Sequence, residues 1–87
     1  MKTLLVTNDF PPRSGGIQAY LHGLVSRQPA GEIIVYASSS PGAAAFDAEQ
    51  AFPVVRDRSS MLLPTPRVGR AVRAVARTEG CDRVWFG

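Results

Sequence analysis

The sequence predicts an α/β fold with a mostly parallel sheet, and three observations carry that prediction. Four short runs are apolar on consecutive positions, which suits strands covered on both faces. Two of the intervals between them hold an apolar stripe at helical spacing. Proline and glycine clusters stand where strand and helix hand over to each other.

The first strand is Thr3-Leu4-Leu5-Val6-Thr7. The breakers Pro11-Pro12 and Gly15-Gly16 follow, and then Ile17, Tyr20, Leu21, Leu24 and Val25 recur at i, i+3, i+4, i+7 and i+8. That pattern is one side of a helix, with Tyr20 among the core-facing residues. Pro29 and Gly31 end the helix, and Ile33-Ile34-Val35-Tyr36-Ala37 is the second buried strand. Residues 38–51, serine-rich and then alanine-rich, form a loop with one short helical turn around Ala43–Ala48. Phe52-Pro53-Val54-Val55 is the third strand; Pro53 lacks a backbone donor, which fits a strand start or an edge. Pro64 and Pro66 close the next loop. Val68, Ala71, Val72, Val75 and Ala76 then repeat the helical spacing, with Gly80 placed as a carboxyl-terminal cap. Val84-Trp85-Phe86 is the last strand. Alternation of this kind implies a layered, Rossmann-like sheet with right-handed crossovers.

Size narrows the possibilities. A chain of 87 residues, 45% apolar, makes one small domain and not two. Such a chain buries only about 60–65% of its unfolded surface, so its core is marginal. One cysteine makes no internal disulfide. No apolar run reaches the ~18–20 residues of a membrane span, and the first apolar stretch is too short for a signal peptide. These features point to a cytosolic protein with peripheral membrane contact left open. The sequence stops directly after Val84-Trp85-Phe86-Gly87, a strand with no covering helix, so the chain is expected to be the front piece of a longer protein. The formal charge is +3, and nine of the ten basic residues are arginine.

The residues with chemical potential cluster in Thr7-Asn8-Asp9-Phe10-Pro11-Pro12-Arg13-Ser14-Gly15-Gly16-Ile17-Gln18, where the first strand passes to the first helix. That position borders the usual ligand crevice of an open α/β sheet. Glycines let a ligand approach the backbone, and the first helical turn, free of Asp and Glu, leaves its N–H groups to an external anion. Arg13 lies nearby in sequence. The stretch is neither G-x-G-x-x-G nor a Walker A sequence, which disfavours dehydrogenase-type dinucleotide binding and P-loop hydrolysis. A plain tight turn is the competing explanation of the Gly-Gly pair. Asp9 fits either an ordinary Asx turn before Pro-Pro or a contact to a sugar hydroxyl or headgroup.

Asn8-Asp9-Phe10-Pro11-Pro12, Gly15-Gly16-Ile17-Gln18, Leu21 and Leu24 resemble the amino terminus of retaining glycosyltransferases of family GT4, which have the two-domain GT-B fold. Within that family the likeness is nearest the GDP-mannose-dependent mannosyltransferases that build phosphatidylinositol mannosides, in particular those that add the second mannose through a 1,6-linkage. Met61-Leu62-Leu63-Pro64-Thr65-Pro66 and Val84-Trp85-Phe86-Gly87 share it. The resemblance implies that residues 1–87 are an incomplete amino-terminal, acceptor-side domain. The donor-binding carboxyl-terminal domain, with its basic residues and paired glutamates, would be missing and the fragment alone inactive. It implies donor-phosphate contact by Gly15 and Gly16, acceptor contact by Gln18, and GDP-mannose and a phosphatidylinositol mannoside as ligands; no cofactor is expected, and Asp9 stays an acceptor candidate beside its Asx-turn reading. Many relatives have a histidine where this chain has Tyr20.

Arg67, Arg70, Arg73 and Arg77 fall on one side of the second long helix. They are compatible with a solvated face or with attraction to anionic lipid. The resemblance implies the second, with the protein peripheral on the inner face of the cell membrane. Arg56, Arg58, Ser59 and Ser60 leave the third strand where an acceptor phosphate would be met, and Arg58 and Ser59 are the acceptor candidates there. Met61-Leu62-Leu63 suits acyl chains or packing beneath the loop. His22 is expected on the surface, Cys81 is expected to be structural, Asp57 and Asp82 stand isolated, and no metal-ligand or catalytic constellation is present. Two rival functions remain: a GT-B transferase with another donor or acceptor, and a basic module binding nucleic acid or acidic partners. The modest charge and the lack of aromatic-basic interleaving weigh against the second.

Overall fold

The computed structural model describes residues 2–8, 10–12, 16–29, 31–59, 61–62 and 65–86, and of residues 17 and 18 the backbone only. Seven elements alternate along the chain: β1 (Thr3–Thr7), α1 (Gly16–Ser26), β2 (Ile33–Ala37), α2 (Ala43–Ala48), β3 (Val54–Arg56), α3 (Pro66–Thr78) and β4 (Arg83–Phe86). The four strands form one sheet in the order β3-β2-β1-β4, and every pairing is parallel.

Alternation along each strand divides the core into two layers. Leu5, Ile33, Val35 and Ala37 meet Leu21 and Val25 of α1 together with Phe10 and Phe52. Leu4, Val6, Ile34 and Tyr36 meet Val68 and Val72 of α3 on the opposite face. Two-sided cover is the physical reason that β1 and β2 are apolar without alternation, and all ten of their residues are buried.

β3 is shorter than the apolar run suggests. Pro53 has no N–H for the ladder, but its carbonyl accepts from Val35 N at 3.1 Å, and Phe52 enters the core as a loop residue. Pro66 belongs to α3 and not to the loop before it. It occupies the first turn, where its missing donor costs nothing, and the Thr65 hydroxyl caps the helix by accepting from Val68 N at 3.3 Å. The other end of α3 is a Schellman motif: Gly80 is left-handed at φ 68°, Gly80 N donates to Arg77 O, and Cys81 N donates to Ala76 O. Cys81 packs against the α3-side layer.

The stripe on α1 has the predicted period but a different phase. Leu21 and Val25 are buried, whereas Tyr20 is 69% exposed, which corrects its placement among the core residues. The buried side is turned towards His22, which lies against the rings of Phe10, Phe46 and Phe52. Its Nε2 is 2.8 Å from Gln50 Oε1, so His22 is a packed residue and not the surface residue expected. On β4, Trp85 packs against the α1-side layer. Val84 and Phe86 face a groove of about 520 Å³ beside Val68, Val72 and Arg73.

Candidate functional site

The strand order fixes where a ligand crevice lies. From β1 the chain moves outward through β2 to β3, and then crosses the opposite face to place β4 on the other side of β1. The reversal falls between β1 and β4, so the carboxyl end of β1 is the switch point of the sheet, and the β1–α1 connection borders it. α1 begins at Gly16 with no acidic residue in its first turn. A Cβ built on Gly16 would meet nothing within 4 Å, and the backbone there is not in the left-handed region. The protein itself therefore has no need of a glycine at this position. Asp9, Arg13 and Gly15 lie outside the described residues, as does the side chain of Gln18.

Two loops flank β1 at this edge, and side chains tie them together. Asn8 lies immediately after β1. Its Nδ2 donates to Leu62 O at 3.2 Å, and its Oδ1 accepts from Leu62 N at 2.5 Å. This pair of hydrogen bonds imitates one rung of a ladder and pins residue 62 against the end of β1. Ser39 N donates to Ser59 O at 2.9 Å, which extends the β2–β3 pairing into the same loop.

Asp57, expected to be isolated, is the centre of this arrangement. It is 5% exposed and accepts from Tyr36 Oη at 2.5 Å, from Ser59 N at 3.0 Å, from Ser59 Oγ, and from both terminal nitrogens of Arg67 at 3.0 Å. The Arg67 fork, aided by Ser59 and Tyr36, holds its carboxyl well below the usual carboxylate range in spite of burial. Burial, and then the hydrogen bond to Asp57, pushes the Tyr36 phenol up to about 12. Bonding to Asp57 likewise raises Arg67.

The neighbouring Arg56 is equally committed. Its Nε and Nη2 grip Asp47 at 3.0 and 2.8 Å, Nη1 donates to Ser38 O at 3.0 Å, and Nη2 donates to Pro11 O at 2.6 Å. Its guanidinium also lies 5.8 Å from the centre of the Phe10 ring. These partners leave Arg56 unsuited to receive an acceptor phosphate, which corrects that expectation.

Of the other sequence candidates, Arg58 is exposed at the turn of the loop. The Ser59 hydroxyl is engaged with Asp57 and with Met61 O at 2.9 Å. Arg70, Arg73 and Arg77 are exposed along α3, but Arg67 leaves that stripe for Asp57. Met61, in the loop before α3, is 59% exposed. Sequence reasoning missed the Asp57 centre. Its signal is an Arg-Asp pair closing a strand, where adjacent side chains must diverge to opposite faces. Among the described residues no group of three His, Cys, Asp or Glu side chains is placed to hold a metal, and no helix is long and apolar enough to cross a membrane.

No family model matches the chain. It is 44% identical over 88 residues to a GDP-mannose-dependent monoacylated alpha-(1-6)-phosphatidylinositol monomannoside mannosyltransferase of Corynebacterium glutamicum, covering 99% of this chain and 23% of the relative. It is 46% identical over 92 residues to a GDP-mannose-dependent alpha-(1-6)-phosphatidylinositol monomannoside mannosyltransferase of Mycobacterium tuberculosis, covering 99% and 24%. The protein of the same description in Mycolicibacterium smegmatis is 41% identical over 88 residues, covering 97% and 23%. The chain thus spans about a quarter of the length of the curated relatives it matches. Over nearly its whole length it is homologous to these mannosyltransferases.

Proposed function

We propose that this chain, as a homologue of the phosphatidylinositol mannoside mannosyltransferases, forms the acceptor-side wall of an enzyme that transfers mannose from GDP-mannose to a phosphatidylinositol mannoside. The observation that carries the reading is identity of 41–46% over nearly all of the chain to proteins so described. The geometry agrees with it. A glycine that the fold does not require opens α1 beside the switch point. In this reading Gly15 and Gly16 admit the donor diphosphate, while Asp9, Gln18, Arg58 and Ser59 face the acceptor headgroup. Exposed Arg70, Arg73 and Arg77 meet an anionic membrane on its cytoplasmic side. Donor recognition and the reacting groups belong to a carboxyl-terminal domain of the GT-B kind, transfer retains the anomeric configuration, and the fragment alone is inactive.

A chimera tests this. The 87-residue chain replaces the segment it matches in the Corynebacterium relative, and mannose transfer from GDP-mannose to phosphatidylinositol monomannoside is measured. Activity should survive, and Gly16→Leu in the chimera should lower kcat/KM for GDP-mannose by at least about tenfold. Because a Cβ at residue 16 meets nothing within 4 Å, that loss should come with little loss of stability. Unchanged kinetics in Gly16→Leu would remove the phosphate role, and an inactive but folded chimera would remove the transferase reading.

A further inference from the structure

The two most committed polar side chains at the carboxyl edge are consecutive in sequence. Arg56 ends β3 and Asp57 follows it, still joined to β2 by Asp57 N donating to Ala37 O at 2.7 Å, and neighbours on an extended chain point to opposite faces of the sheet. Arg56 lies on the α1 and α2 side, where it joins Asp47 of α2, Ser38 O at the end of β2 and Pro11 O in the β1–α1 connection. Asp57 lies on the α3 side, where it joins Tyr36 of β2, Arg67 of α3 and both donors of Ser59. Neither residue contacts the other's loop through these bonds.

We propose that Arg56 and Asp57 are a pair of positioning residues acting as a two-way clamp. Arg56 sets the β1–α1 connection through Pro11, and Asp57 sets the 57–62 loop, so a single strand end anchors both walls of the crevice, each through its own side chain. The Arg56 fork is sheltered: side-chain exposure is 13% for Arg56 and 16% for Asp47. The Asp57 carboxylate is 2% exposed. Sheltered, charge-assisted bonds of this kind are strong and directional, so each loop follows its own anchor. Asn8 adds a latch between the walls through Leu62, which fixes their spacing once each is placed. What the walls bind rests on the transferase reading above: the β1–α1 side serves the donor and the 57–62 side the acceptor.

Two experiments test the clamp, one free of activity. Amide hydrogen exchange on the 87-residue chain reads Phe10 in the β1–α1 connection, Ser59 in the 57–62 loop and Val72 inside α3 as a reference. Arg56→Lys keeps the charge but cannot span three partners. It should speed exchange at Phe10 by about tenfold relative to Val72, with a smaller change at Ser59. Asp57→Asn should do the reverse. Equal acceleration at all three amides, or an equal effect of either variant on both walls, would overturn the two-way clamp. In the chimera, Arg56→Lys should raise KM for GDP-mannose and Asp57→Asn KM for the lipid acceptor, each by about tenfold with kcat little changed. A shared fall in kcat with no split between the two KM values would overturn the assignment of walls to ligands. If the unsubstituted chimera is inactive the transferase reading fails, and the exchange pattern still decides the clamp.

Discussion

Replacing Asp57 by alanine is the perturbation whose outcome the structure specifies most fully. The carboxylate accepts five hydrogen bonds from Tyr36, Ser59 and Arg67. On its removal the Tyr36 hydroxyl, on a residue 3% exposed, loses the carboxylate to which it donates. A buried polar group left unmatched costs about 1–3 kcal/mol. The Ser59 hydroxyl falls back on Met61 O, and the Arg67 side chain, 39% exposed, is rehydrated, so neither adds much. With the lost rigidity of the loop the total is about 2–4 kcal/mol, against a stability of roughly 4–13 kcal/mol for a domain of this size. Urea unfolding at pH 7, followed by Trp85 fluorescence and circular dichroism, measures it.

The pH dependence provides the sign. The carboxyl is lowered in the folded state, so between its folded value and the ordinary value of 3.8 the unfolded chain binds the extra proton. Stability from this group is therefore complete above the ordinary carboxylate range and falls as pH drops through and below it. Asp57→Asn, the milder variant for the case in which alanine unfolds the chain, should lose stability at pH 7 and show a flatter decline from pH 5 to pH 2. A loss below about 0.5 kcal/mol at pH 7, or a decline parallel to that of the unsubstituted chain, would refute the buried fork.

Two further outcomes follow from α3. Thr65→Ala removes the helix cap and should cost about 1 kcal/mol, seen as a fall in Tm of roughly 4–8 °C; an unchanged Tm would deny the cap. Binding to vesicles containing anionic lipid should fall with salt and should weaken about fivefold for each of Arg70→Ser, Arg73→Ser and Arg77→Ser. Arg67→Ser should reduce binding much less and stability more, because its guanidinium is held by Asp57. An equal loss of binding for Arg67→Ser would deny its commitment to Asp57, and indifference to lipid charge and salt would return the stripe to a solvated face.

The parts of this fold legible in the sequence are those set by local periodicity. β1 and β2 are buried on every position because helices cover both faces, and α3 announces itself by its stripe and Gly80. Phase is another matter. The stripe on α1 shows that one side is buried, but the direction it faces is decided by rings from three distant segments. Phe10, Phe46 and Phe52 gather beside His22 and turn Tyr20 outward. The site divides in the same way. The double glycine after β1 is a local sign and is visible, whereas Asp57 and Arg67, ten residues apart across a loop, meet only because β3 and α3 pack on one face.

The placement of charge separates a structural from a functional explanation of the clamp. A buried ion pair is seldom the most stable filling of its space, since an apolar replacement is commonly as stable or more so. A small domain with a marginal core has little stability to spare for such groups. Among the described residues, the pair with the least exposed acid, Arg67–Asp57, and the pair with both partners sheltered, Arg56–Asp47, lie at the carboxyl edge of the sheet. At the opposite edge, Lys2–Glu79 is more open, at 24% and 38% exposure. Past the Ser39 N–Ser59 O bond the loops at this edge have little ladder to hold them, and directional side-chain bonds set them to within the tolerance that ligand positioning demands. If these two pairs were there for stability alone, joint replacement of Arg56, Asp47, Asp57 and Arg67 by apolar residues of similar volume would leave the chimera active. The clamp requires a stable, folded chimera that has lost both ligands' affinity.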